Sequence, residues 1–264
     1  MLELQENRMS AGFTTTSLRS GMLPMGHILS VDHFKMALPT FPPHPHAGFS
    51  AVTYMLPWSQ GAFINRDSLG DRSIIAPGDL HWTLAGAGMM HEEIPENPGT
   101  DCEGLQIFVK LREGNELAQP RAFHIAAASF PAISATGLSA RVLVGSWHGV
   151  QSPIPEQENT TMLHLSVTGQ SEIELPAARD AFAFVLRGRG EINGAQVTAG
   201  VATGLTKGVC RFSGENLEVL LGLSDVMPQL PHFSGPFCMF DTRELENARR
   251  RFATGGMGQL SSSF

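Results

Sequence analysis

The chain has 264 residues, 42% of them hydrophobic and 16% charged, with a formal net charge of -7. That composition excludes a disordered chain, and the length allows one large domain or two of ordinary size. The longest basic run is Arg249-Arg250-Arg251, too little clustered cation for direct binding to a nucleic-acid backbone, and no run of about 18 apolar residues marks a membrane span.

The first ten residues, MLELQENRMS, start acidic and lack the basic and apolar regions of a signal peptide. Cys102, Cys210 and Cys238 are widely spaced and odd in number, which reads as reduced thiols and a cytoplasmic protein. From about residue 48 to 111 the chain alternates short β-branched or aromatic runs with turns. SAVTYML is a strand. INRDSLGDRSIIAPG reads as strand, turn at 68–71, strand, and turn at 77–79, and LHWTLAGAG and EGLQIFVKL follow. Glycine-punctuated strands at this spacing predict a sandwich or barrel.

A second block of the same kind runs from about 140 to 224, with a hairpin signal at Asn193-Gly194. AVTYMLPWSQGAF and AFAFVLRGRGEING hold similar places in the two blocks, as a tandem duplication would leave them. The stretch 112–139, rich in Ala, Ser, Gly and Pro, is the expected join, giving domains at 1–125 and 126–264. One helix is predicted near the end. Asp241 and Glu244 form a capping-box-like start, Leu245, Ala248 and Phe252 an apolar stripe, and Gly255-Gly256 the stop. The arginine triplet reads as its solvated end.

The candidate site begins at FPPHPHAGFS, residues 41–50. In a strand, His44 and His46 point to one face. Proline disfavours helix at the preceding residue, which keeps His44 extended, and Pro45, lacking an N–H, belongs at a sheet edge. In GAGMMHEEIP, His91 and Glu93 have the same spacing, and Glu92 points the other way. Three imidazoles and one carboxylate would hold a divalent metal with positions left for water or substrate. No cysteine accompanies them, unlike most closed zinc sites.

These segments resemble the pirin family, within the cupin superfamily. The resemblance is carried by DHF at 32–34, FPPHPHAGFSAVTYML, RDSLGDRSIIAPGDLHWTLAGAGMMHEEIP, GLQIFVKL, AFAFVLRGRGEING and GPFCMFDTRELENARRRFATGGMG. It implies an all-β chain of two tandem cupin barrels with a short C-terminal helix and metal in the N-terminal barrel only. The family's metal ligands fall on His44, His46, His91 and Glu93. His148, His164 and His232 form no such pair and read as surface or locally bonded side chains.

Three positions depart from the family pattern. Ser50 stands where a glutamate is usual and is expected near the site. Ala47 replaces a common basic residue, and His81 a usual glutamine. His81 could supply an acid or base near the metal, although a partly buried polar residue is the plainer reading.

The resemblance implies a quercetin 2,3-dioxygenase-type enzyme acting on a flavonol-like or related enolic substrate. Fe(II) is the favoured ion, with Mn, Ni, Cu, Co or Zn as alternatives. Glu93 would accept the proton of the coordinated hydroxyl. Phe34, Phe49, Met55, Trp82, Met89 and Met90 are the expected pocket wall. The alternative is a non-catalytic, metal-dependent regulator of a protein partner, such as a transcription factor or metabolic enzyme.

Overall fold

Runs of β-branched and aromatic residues become strands almost throughout. A computed structural model describes residues 1–154 and 158–264, and its strands form mainly two seven-stranded and two four-stranded sheets. The first large sheet runs, in spatial order, Arg121–Ile125, Leu80–Leu84, Phe49–Met55, Cys102–Lys110, Ile28–Met36, Phe13–Arg19 and Glu6–Ser10. Its small sheet runs His44–His46, Met89–Pro95, Phe63–Asp67 and Arg72–Ile75.

The second large sheet runs Leu2–Glu3, Val201–Leu205, Arg179–Arg187, Leu217–Asp225, Thr160–Val167, Leu138–Val144 and Ala132–Ala135. Its small sheet runs Gln170–Leu175, Gly208–Gly214, Arg189–Ile192 and Ala195–Thr198. The two orders match strand for strand. Phe49–Met55 and Arg179–Arg187, which carry the two similar sequence segments, occupy the same central place. The expected pair of all-β barrels is present.

The expected division at 125/126 differs from the observed units at both ends. One unit comprises Met1–Glu6, Thr16–Ser30 and Ala128–Met227, the other Asn7–Thr15, Val31–Ala127 and Pro228–Phe264. In the first, Leu2–Glu3 pairs with Val201 and Ala202. In the second, Phe237, Met239, Leu245, Ala248 and Met257 share one apolar cluster with Ala47. Contacts between residues some 200 positions apart leave no local trace in composition, so a linear boundary misses them.

The C-terminal helix spans Thr242–Ala253, as predicted. The Asp241 carboxylate accepts the Arg243 N–H at 2.7 Å, while Glu244 bonds Asn247 rather than closing a capping box. Leu245 and Ala248 are buried, but Phe252 is 43% exposed.

The two interiors differ in chemistry. The second barrel is filled with hydrocarbon, including Leu163, Leu165, Ile173, Leu175, Cys210, Phe212 and Leu221 from both of its sheets. In the first, Phe34, Met36, Met55, Phe63, Ile75 and Cys102 form an apolar cluster, where the Phe34 and Phe63 rings stack at 5.1 Å, and polar side chains such as His46, His81, His91 and Asn65 are buried as well. His44–His46 and Gln170–Leu175 are equivalent edge strands. The first barrel thus presents imidazole where the second presents Ile173 and Leu175. All three cysteines are free and buried, and burial pushes their thiols up to about 11 or 12.

Candidate metal centre

Pro45 sits in the edge strand His44–His46, where its missing N–H costs the sheet least. This strand pairs antiparallel with Met89–Pro95, placing His91 opposite His44 and Met89 opposite His46. Side chains alternate across a strand, so His44, His46 and His91 share one face. Their ring centroids are 4.9 Å (His44–His46), 4.7 Å (His44–His91) and 4.8 Å (His46–His91) apart, a nearly equilateral triangle. One ring nitrogen from each lies within 4.8 Å of the other two.

The protonation chemistry suits a metal. Burial lowers the pKa of all three rings, taking His46 down to about 3 and His91 well below the ordinary histidine value. They are neutral imidazoles with lone pairs to give. His44 Nδ1 donates to the Pro42 carbonyl at 2.9 Å, which fixes the tautomer and leaves Nε2 as the donor atom. His46 Nδ1 and His91 Nδ1 are buried without a hydrogen-bond partner. Three neutral imidazoles converging on one point fit a divalent transition metal.

Glu93 follows His91 by two residues and faces the same side. Its Oε2 accepts the Thr53 hydroxyl at 2.6 Å, and the same hydroxyl lies 3.1 Å from Gln106 Oε1. Burial pushes the Glu93 carboxyl up to about 7, against the lowering effect of the Thr53 bond. Glu93 stands beside the triangle without entering the group of mutually close ligand atoms, which consists of the three histidines. Glu92 points the other way, accepting hydrogen bonds from Arg66 and from Ser263 near the C-terminus.

The wall around the imidazoles is aromatic. Phe49 lies 5.0 Å and Phe108 5.5 Å from His46, and Phe41 lies 6.3 Å from His44. Phe34 and Met55 belong to the interior apolar cluster, and Met89 shares the His91 face. Trp82 and Met90 fall between inward-facing neighbours and point outward, so they leave the expected wall. Ser50 also moves. Thr53 faces the site and pairs with His81 and Gln106, whereas Ser50 pairs with Leu84 and Val109 on the opposite face. An odd offset from Thr53 turns Ser50 away from the histidines, contrary to expectation. Ala47 packs in the apolar cluster with Phe237 and the C-terminal helix.

Sequence reasoning missed Thr53, Phe108, Asn65 and Asp67, all inward-facing beside the proposed ligands. The signal for them was the period of two, counted from His91 and from Thr53 once the pairing is known. His164 lies 3.0 Å from Glu218, His148 packs against Trp147, and His232 is exposed. Among the described residues no helix is long and apolar enough to cross a membrane.

The Pirin family model matches residues 9–109. A pirin-like protein of Solanum lycopersicum is 31% identical over 243 residues, covering 87% of this chain and 81% of that protein. Four Arabidopsis thaliana pirins and pirin-like proteins are matched over 52% to 66% of their length. Among solved structures, quercetin 2,3-dioxygenase from Acinetobacter baumannii superposes with a TM-score of 0.86 at 22% identity, covering 97% of this chain and 95% of that one. The bacterial pirin YhhW of Escherichia coli, in complex with nickel(II), gives a TM-score of 0.69 at 18% identity, covering 85% and 96%.

Proposed function

Because the chain belongs to the pirin family, we propose that it is a cytoplasmic, metal-dependent dioxygenase of a flavonol-like or related enolic substrate, with Fe(II) as resident ion. The observation that carries this reading is the triangle of neutral imidazoles with a buried carboxylate beside it. When bound, a divalent metal supplies Lewis acidity toward an enolic hydroxyl and the redox capacity that dioxygen chemistry needs. His44, His46 and His91 would hold it, with Glu93 as the fourth donor.

Glu93 also accepts the proton released by the substrate hydroxyl. The Thr53 bond keeps its Oε2 directed while this happens. Phe49 and Phe108 exclude water and offer flat apolar faces to a planar ring. The aromatic wall suits an unsaturated ring system better than a flexible polar acid.

Metal-stripped protein reloaded in turn with Fe(II), Mn(II), Co(II), Ni(II) or Cu(II) is given a flavonol, and oxygen uptake is followed. Turnover is expected with at least one ion and with none in the stripped protein. Absence of turnover and of flavonol binding with every ion would reject the enzyme and leave a metal-dependent regulator of a protein partner.

A further inference from the structure

In the same barrel, beside the ligand triangle, lies a set of polar side chains that the triangle does not use. His81 and Thr83 are two residues apart on Leu80–Leu84, and the pairing of His81 with Thr53 puts both on the inner face. Opposite Glu93 and His91 on the small sheet stand Asn65 and Asp67, inward-facing by the same register. His81 is 1% exposed, Thr83 and Asn65 0%, and Asp67 4%.

Each of the four carries a buried polar atom without a protein partner: both His81 ring nitrogens, Thr83 Oγ1, Asn65 Oδ1 and Asp67 Oδ2. The remaining side-chain polar atoms of Asn65 and Asp67 are engaged. Asn65 Nδ2 donates to Asp71, and Asp67 Oδ1 accepts the Leu69 and Asp71 backbone N–H groups. A buried polar atom left unsatisfied costs about 1–3 kcal/mol, and most native proteins contain only a few. So many in one interior, next to the proposed ligands, point to a polar guest.

Resting on the dioxygenase reading above, we propose that His81, Thr83, Asn65 and Asp67 form a subsite for substrate hydroxyl groups other than the one that would chelate the metal. The atom types choose the ligand. Neutral His81 and the Thr83 hydroxyl can each donate and accept, whereas Asn65 Oδ1 and Asp67 Oδ2 only accept. Acceptors exceed donors, which matches hydroxyl-bearing rings. Asp67, Asp71 and Glu93 disfavour a carboxylate there. His81, with both ring nitrogens buried and without a protein partner, is the specificity-determining member.

The test is equilibrium binding to the zinc-loaded protein, where zinc has no redox chemistry and the ligand is not consumed. The probes are a flavonol with a hydroxylated distal ring and its analogue lacking those hydroxyls. The hydroxylated probe is expected to bind about tenfold tighter or more, as a buried site built for hydroxyls discriminates against their loss. His81→Leu should bring the ratio near one, His81→Gln should retain part of it, and Thr83→Val gives a second disruption should His81→Leu fold poorly. Zinc stoichiometry should be unchanged in all three.

Equal binding of the two probes by the wild type overturns the subsite while leaving metal chelation intact. A preference that survives both His81→Leu and Thr83→Val also overturns it. Binding of neither probe overturns the chelation reading and the subsite together.

Discussion

His46 is the residue on which the proposed metal site turns, because it is buried, neutral and in contact with both other imidazoles. His46→Ala should reduce bound metal from about one per chain to a trace by elemental analysis. Retention of stoichiometric metal would show the ligand assignment to be wrong. Thr53→Val tests the supporting layer, since its hydroxyl orients Glu93. Loss of such a partner should weaken metal affinity by about 10–100-fold in a chelator competition, with the fold intact. An unchanged affinity would leave Glu93 without a part in metal binding. At this scale the shared facing of His44 with His46, and of His91 with Glu93, was legible because i, i+2 spacing is a local property of the chain; the mutually close ligand atoms are those of the three histidines. Ser50 and Trp82 were misplaced because their facing depends on register against strands distant in sequence, which one sequence does not display. Thr53 escaped notice for the same reason, sitting in a run that otherwise reads as ordinary strand.

The strand carrying His44 and His46 connects to Phe49–Met55 through Gly48, and that connection has little tolerance. Gly48 has φ of +81°, and a Cβ built there would lie 2.0 Å from the Cys238 carbonyl oxygen and 2.6 Å from Met239 Sδ. Gly48→Ala should therefore cost about 1–3 kcal/mol from backbone strain alone, with the overlap adding to it. A lowered denaturant midpoint, together with weaker metal binding, is the expected result. An unchanged midpoint would mean that the 237–239 segment does not press on the site as described. Most elements, including both arms of the duplication and the C-terminal helix, were legible from alternation, turn residues and the Asp241 cap. The placement of 1–6 and 228–264 was not. Leu2–Glu3 is too short to announce itself, and the tail's apolar residues pack against Ala47, a position that local pattern leaves undistinguished.

For the whole molecule, ionisable groups in both units make stability depend on acidity in two stages. Burial raises the Glu103 carboxyl, but hydrogen bonds from His33 and Trp58 outweigh it and hold it below the usual glutamate value. Burial likewise raises Glu218, where His164 and Ser166 prevail in the other unit. A carboxylate depressed in the folded state contributes stability above its unfolded pKa, near 4.5, which is lost as pH falls through the folded value. His81 acts earlier. Burial pushes it down to about 4, so between 6.5 and that value the unfolded chain binds more protons and stability falls with pH. At saturating zinc, which treats the proposed ligands, Glu93 with its raised carboxyl included, equally in every protein compared, His81 should contribute a gentle decline of the melting temperature below pH 6.5, and the two carboxylates a steep one below about 4.5. His81→Gln should flatten the upper limb, and Glu103→Gln and Glu218→Gln the lower one. Melting curves with identical pH slopes in all three variants would show that acid sensitivity arises elsewhere. Because Glu103 and Glu218 lie in different units, their effects on the lower limb should add in the double variant.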